Sequence, residues 1–290
     1  MIWTALVLGA LLLSLGRPLP AAAAPGDVIA DVATPEGPSP AGLWPKGIAT
    51  DGQYLYYLDW GGSVLHRINP PPPGASDATG HIDIPVSGAP QGVMTIAYDA
   101  GRDLFWAVSG DGRTIYLLSK TGTATQQFMI DTVNGLPGNC KDTCSSEVKI
   151  AYDRSDDTIW YSPDTTARVY HFQSTGDVQG NGVLVAATPY VDVDVAPNEM
   201  ARECAGYSYV SGIATGGSDL FFANSSCPYY FEYSKTGLKV AVIAQPLPAA
   251  GGLGCDNVNY PVSVIWEWDG WANHIYAVEQ PRAGACVYGG

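Results

Sequence analysis

Past about the first 25 residues, short apolar runs rich in aromatics alternate with clusters of Gly, Asp, Asn, Ser and Pro. No segment develops the 3.6-residue spacing of an amphipathic helix. Five runs share a signature: Leu55-Tyr56-Tyr57, Leu104-Phe105-Trp106, Ile159-Trp160-Tyr161, Leu220-Phe221-Phe222 and Ile275-Tyr276-Ala277. They recur at about 50 to 60 residues, the length of one four-stranded unit, and read as second strands of repeated sheets.

Four of the five follow a second signal that ends in a turn residue: Ile48-Ala49-Thr50-Asp51, Ile96-Ala97-Tyr98-Asp99, Ile150-Ala151-Tyr152-Asp153 and Ile213-Ala214-Thr215-Gly216. A small alanine suits an inner strand crowded against an axis, and Asp or Gly suits the tight turn that follows. Third strands are expected at Val64 to Ile68, Thr114 to Leu118, Arg168 to Phe172 and Tyr229 to Tyr233, where β-branched and aromatic residues mix. Fourth strands are expected at His81 to Ile84, Thr125 to Ile130, Val183 to Ala186 and Val240 to Ala244. The proline run Pro70 to Pro73 replaces the Thr-Gly turn of the other units with a stiff connection.

The fifth unit stops short. A third strand at Ala285 to Tyr288 would be its last, while Val28-Ile29-Ala30-Asp31-Val32 has no unit of its own. Pairing the two termini in one sheet removes an exposed edge and closes a ring. The fold expected is all-β, a five-bladed β-propeller closed by the N-terminal strand as the outer strand of the last blade. Six blades are the alternative, with Val191 to Val210 too poor in strand signals to supply one.

The succession of an Ile-Ala-x-Asp turn, a Leu-Tyr-Trp-like strand, an outer strand and Thr-Gly resembles the repeats of the YWTD, NHL and SMP-30 group of propellers. That resemblance covers nearly all of the chain after the N-terminal segment. It implies the fold firmly and the function weakly, because such repeats serve receptors, scaffolds, lactonases and lyases alike.

The chain has 290 residues, 46% hydrophobic and 14% charged, with a formal net charge of −14. Without a basic run, nucleic acid and anionic membrane surfaces are excluded as partners. Ile2 to Leu15 is an apolar run of signal-peptide length, followed by Ala21 to Ala24. Residues 1–24 therefore read as a signal peptide and 25–290 as one propeller domain, secreted or periplasmic, with no membrane span after signal removal. The six cysteines, Cys140, Cys144, Cys204, Cys227, Cys255 and Cys286, fit disulfides of an exported chain. Zinc ligation by cysteine is disfavoured, because only Cys140 and Cys144 are close. Topology pairs Cys204 with Cys227 and Cys255 with Cys286, leaving Cys140 with Cys144.

In a propeller the connections from strand 4 to the next strand 1 share a face with the strand 2–3 loops. Here they are long (Asp131 to Ser146, Thr188 to Tyr209, Gln245 to Pro261), which marks that face for binding. Lys46, Gln91, Tyr207, Tyr209 and Glu279 are its candidate ligand contacts. Glu147, Asp164, Asn259 and Asp59 could supply hard oxygen ligands for calcium, and the SMP-30 resemblance implies a Glu, Asn and Asp metal set at the mouth. Trp266, Trp268 and Trp271 could stack on sugar rings or fill wedges between blades. The four histidines are scattered, and His66 and His171 read as ordinary third-strand residues. No Gly-x-Ser-x-Gly elbow, phosphate loop or dinucleotide fingerprint occurs. Two readings follow: a non-catalytic extracytoplasmic binding module for a protein, peptide or glycan, or a calcium-dependent SMP-30-like hydrolase, lactonase or lyase.

Overall fold

The computed structural model describes residues 24–36, 45–59, 62–130, 148–163, 166–245, 251–269, 272–280, 282 and 284–289. Its strands form five separate four-stranded antiparallel sheets. β1 (Val28–Ala33) joins the last sheet. Blade one holds β2 (Pro45–Thr50), β3 (Leu55–Asp59), β4 (Val64–Ile68) and β5 (Ile82–Pro85), and blade two holds β6 (Val93–Asp99), β7 (Leu104–Ser109), β8 (Thr114–Leu118) and β9 (Ala124–Met129). Blade three is β10 (Lys149–Asp153), β11 (Thr158–Ser162), β12 (Arg168–Gln173) and β13 (Tyr190–Asp192). Blade four is β14 (Gly212–Thr215), β15 (Asp219–Ala223), β16 (Tyr229–Ser234) and β17 (Lys239–Ala244). Blade five runs β18 (Leu253–Asp256), β19 (Val264–Asp269), β20 (His274–Glu279) and then β1. The inner strands pack in the order β2, β6, β10, β14, β18 and back to β2, so the ring is closed. This is a five-bladed propeller. No helix among the described residues is long and apolar enough to cross a membrane.

The small residue of each inner strand lies opposite a large ring of the second strand: Ala49 to Tyr56, Ala97 to Trp106, Ala151 to Trp160, Ala214 to Phe221 and Gly254 to Trp266. Small against large keeps the axis narrow while the rings fill the wedges between blades. The buried apolar clusters accordingly fall between neighbouring blades, as with Trp106 and Tyr152 across blades two and three, or Tyr57 and Trp268 across blades one and five. Trp106, Trp160 and Trp266 are fully buried, and truncating such a ring to alanine costs about 3–5 kcal/mol. Trp266 and Trp268 are therefore wedge fillers, not sugar platforms. Trp271 lies outside the described residues.

Blade five departs from expectation in its internal order. Ile275 to Ala277 belong to the third strand, and the second strand is Val264 to Asp269. The inner strand is Leu253-Gly254-Cys255-Asp256, a variant of the Ile-Ala-x-Asp signal hidden by Gly254 and Cys255. Residues 285–288 form no strand. Closure by the N-terminal strand nevertheless holds: Asp31 pairs with Tyr276 and Val32 with Ile275. The proline-rich connection of blade one clasps the same seam. Ala33 donates its backbone N–H to the Ser76 carbonyl (3.2 Å), Ala78 N–H donates to the Ala33 carbonyl (3.3 Å), and the Tyr260 hydroxyl of blade five donates to the Pro71 carbonyl (2.5 Å).

The outer strand of blade three is interrupted. Val183 to Val185 bond to His171 and Gln173, and the ladder resumes at β13 after a four-residue excursion. Past β13, residues 193–211 hold a 3-10 turn at Met200–Arg202 and no strand, so this stretch supplies no sixth blade.

Candidate functional site

Antiparallel order puts the 1–2 and 3–4 connections on one face of the ring, here the turn face, and the 2–3 and 4–1 connections on the other, the loop face. On the turn face a single device repeats. In four of the five blades the carboxylate that ends the inner strand accepts two local hydrogen bonds on Oδ1 and receives the second-strand aromatic on Oδ2. Asp99 accepts from the N–H of Gly101 (2.9 Å) and Arg102 (3.0 Å) and from Trp106 Nε1 (3.2 Å). Asp256 accepts from the N–H of Val258 (2.7 Å) and Asn259 (3.1 Å) and from Trp266 Nε1 (2.9 Å). Asp51 with Tyr56 and Asp153 with Trp160 follow the same plan. Cations complete the shell, and two of them come from the next blade: Lys120 Nζ lies 2.7 Å from Asp51, and Lys235 Nζ lies 2.5 Å from Asp153. Asp99 instead receives Arg102, whose guanidinium also grips Asp157 of blade three. That hydrogen bond to Arg102 holds the Asp157 carboxyl down at about 2. These carboxylates are saturated and structural.

Blade four lacks both halves of the device, with Gly216 in the acidic position and Phe221 as the ring. The gap is occupied by the C-terminal tail. Val287 N–H donates to the Gly216 carbonyl (2.9 Å), and a Cβ at Gly216 would lie 2.1 Å from the Val287 carbonyl oxygen. Only glycine allows that approach. The tail is further held by the Cys255–Cys286 disulfide, by Arg282 against Asp219 (2.5 Å) and Glu232, and by the Tyr288 ring over Tyr98. Gly289 reaches Ala100 of blade two. The tail thus spans the turn face from blades four and five to blade two.

Beneath the tail, the cavity on the axis measures about 30 Å³. Its lining comes from the inner strands (Ile48, Ala97, Ile150, Ala214 and Leu253 among them) and from Gly289, and its only titratable hydroxyls are those of Tyr98 and Tyr152. Neighbouring inner strands pack closely around the ring. A Cβ on Gly252 of blade five would lie 2.6 Å from the Gly47 Cα of blade one. Among the described residues this cavity has room for water, far below the 300–1,000 Å³ of an ordinary ligand pocket.

The loop face carries the connection 193–211, stapled to the 2–3 turn of blade four by the Cys204–Cys227 disulfide. Asn224 is buried and fixes that turn, donating Nδ2 to the Tyr207 carbonyl (3.3 Å) and accepting from Ser226 N–H (2.9 Å). Its side chain is thereby withdrawn from the surface. Tyr207 is 54% exposed and packs edge-on against Tyr209, whose hydroxyl meets Ser225 and Ser226. Gln91 is exposed in the 4–1 connection into blade two. Lys149, at the loop-face end of β10, is 1% exposed.

The remaining candidates divide. Asp59 ends β3 and Lys46 sits at a bulge in β2. Glu147, Asp164, Cys140 and Cys144 lie outside the described residues. Asn259 belongs to the 1–2 connection of blade five, because Leu253–Asp256 is an inner strand and not part of a long loop, and its Nδ2 donates to Asp256 (2.8 Å). It is on the turn face, away from the 4–1 connections. Glu279 ends a third strand, also on the turn face, in a depression of about 330 Å³ with Asn257, Ser263 and Gln280. Cys255 and Cys286 lie on that face too.

One constellation had no sequence signal. His66 Nδ1 lies 2.8 Å from Asp83 Oδ1 and 3.2 Å from Glu36 Oε1. His81 Nε2 lies 2.8 Å from Glu36 Oε1 and 3.1 Å from Asp83 Oδ1. His66 is opposite Asp83 in the β4–β5 ladder, and His81 precedes Asp83 by two positions on the same face. Glu36 lies just beyond β1, ahead of blade one in the chain. The group meets the chemistry of a metal-binding cluster. The other two histidines are engaged elsewhere: His171 stacks on Trp160 at 3.8 Å and burial lowers its pKa, and His274 meets Asp31.

No family model matches the chain, and no curated protein matches it in sequence. Solved structures do. A virginiamycin B lyase from Staphylococcus aureus aligns at 14% identity and TM-score 0.42, over 81% of this chain and 66% of that one. A streptogramin B lyase aligns at 12% and 0.42, over 81% and 64%, so the chain spans just under two thirds of these two proteins. A luciferin-regenerating enzyme aligns at 14% and 0.46, over 86% and 97%. A chain of a nidogen/laminin complex aligns at 10% and 0.45, over 84% and 80%. Enzymes and a binding protein thus share these propeller alignments, and they leave the activity open.

Proposed function

We propose that this chain is an exported binding module that takes a protein, peptide or glycan on its loop face. The single observation that carries the reading is the narrowness of the axial cavity among the described residues. Among the described residues the axial cavity, lined by the inner strands and by Gly289 of the tail, measures about 30 Å³, too small for a substrate. The loop face, by contrast, presents a disulfide-held segment with exposed aromatic surface, the composition that recurs at recognition sites. Tyr207, Tyr209 and Gln91 are the contacts assigned here. The Cys204–Cys227 link pre-orders the segment and so lowers the entropy lost on binding. Two disulfides among the described residues support export.

The calcium-dependent hydrolase or lyase implied by the repeat resemblance would need its ion at the loop face without Asn259. Screening the full chain against immobilised oligosaccharides and peptides, in calcium and in chelator, tests the proposal. Retention that is equal in both media, with the captured molecule recovered unchanged, is expected. Conversion of a captured molecule, or capture only in calcium, would favour the enzyme.

A further inference from the structure

We propose that Glu36, His66, His81 and Asp83 form a zinc site that staples the closing strand of the ring to blade one. The donor set is two imidazole nitrogens and two carboxylate oxygens, all within 4.8 Å of one another. That set suits a four-coordinate zinc ion with bonds of about 2.0–2.2 Å, whose ligand atoms would stand roughly 3.4 Å apart. The four imidazole–carboxylate separations of 2.8 to 3.2 Å need small outward movements to reach it, and the remaining two, within 4.8 Å, must contract. Calcium is the poorer fit, because it takes six to eight oxygens and shuns imidazole.

Three further features point to a ligand. His81 Nε2 is buried and has no hydrogen-bond partner among the described residues, although two carboxylate oxygens stand close to it. A short separation without hydrogen-bond geometry leaves this nitrogen's lone pair uncommitted. Around the donors there is an orienting shell of the kind metal sites require. The Tyr57 hydroxyl donates to Glu36 (3.0 and 2.9 Å), and the Tyr57 ring stacks on His66, which stacks on His81. Access is also provided: the Asp83 side chain is 59% exposed, so an ion can enter from solvent without opening the core.

The location gives the site its role. Glu36 follows β1, the strand that closes the ring, while the other three donors belong to blade one. An ion joining them ties the end of the closing strand to the outer half of blade one, adding a cross-link to the chain that runs on from β1 into β2, beside the clasp made by Ala33, Ser76 and Ala78. Loss of the ion would free the N-terminal strand and leave blades two to four intact.

The test uses the full chain, stripped with chelator and then titrated with zinc. One zinc per chain is expected, with a rise in Tm of about 5 °C or more at a hundredfold excess over Kd. Cobalt in place of zinc should give the visible bands of a tetrahedral ion. His81→Asn and Asp83→Asn alter partly exposed side chains and should preserve the fold while lowering zinc affinity at least tenfold and abolishing the Tm rise. Binding that survives His81→Asn, an octahedral cobalt spectrum, or a Tm rise with calcium but not zinc would each overturn the proposal.

Discussion

At the scale of single residues, the fold relies on buried carboxylates treated in two opposite ways. Asp51, Asp99 and Asp153 of the inner-strand turns each pair with a Lys or Arg. Glu267, in β19, has no cation partner among the described residues: Tyr230 donates to its Oε2 and Gln245 Nε2 to its Oε1 (2.5 Å). Burial raises its pKa from 4.5 to about 8, only partly offset by those hydrogen bonds. The sign follows from proton binding. Between the two values the unfolded chain has lost this proton and the folded chain keeps it, so stability falls as pH rises from about 4.5 to about 8 and then levels off. Glu267→Gln should remove that fall. Its Tm should match the parent near pH 4.5 and exceed it by several degrees at pH 8, as thermal melts across the range will show. A constant offset would mean that Glu267 is ionised when folded. Nothing in the sequence marks Glu267 apart from Asp269 two residues later. The distinction comes from Tyr230 and Gln245 on the neighbouring blade.

Among elements, the closing strand carries the test of architecture. In β1, Val32 and Ala30 point into the wedge against blade one while Val28 is 42% exposed. Val32→Asp buries an unpaired carboxylate at a cost of roughly 3 kcal/mol or more, which lowers the Tm by about 6–12 °C for a domain of this size. Val28→Asp, on the same strand, should leave the Tm unchanged. Equal effects would remove β1 from the closure. The sequence showed this pairing because a missing strand at one end matched a spare strand at the other. Four blades were legible for a similar reason: Ile-Ala-x-Asp and the aromatic pair recur with little change. The inner arrangement of blade five was not legible. Gly254 and Cys255 hide its first strand, and Tyr276 in a third strand imitates the second-strand signature. That one misplacement moved Asn259, Glu279 and the Cys255–Cys286 link to the wrong face, although the Cys204–Cys227 and Cys255–Cys286 pairings themselves were read correctly.

For the whole molecule, the account depends on which face is free. The tail occupies the turn face because blade four gave up its carboxylate. Restoring the repeat with Gly216→Asp would drive a side chain into Val287 and should release residues 287–289, seen as faster carboxypeptidase trimming and a lower Tm; unchanged trimming would mean that the tail docks by other contacts. None of this was visible in sequence, since contacts such as Gly216 with Val287 or Glu36 with His81 join positions that no local pattern relates. The loop face was legible from connection length alone, which locates a surface without naming its chemistry. The most direct measurement of the central claim compares three proteins on one array of immobilised oligosaccharides and peptides: the parent, Tyr207→Ala/Tyr209→Ala, and Glu279→Gln on the turn face. The account predicts that the loop-face pair weakens capture at least tenfold at unchanged Tm while Glu279→Gln binds as the parent does; loss of capture in Glu279→Gln with the tyrosine pair unaffected would contradict it.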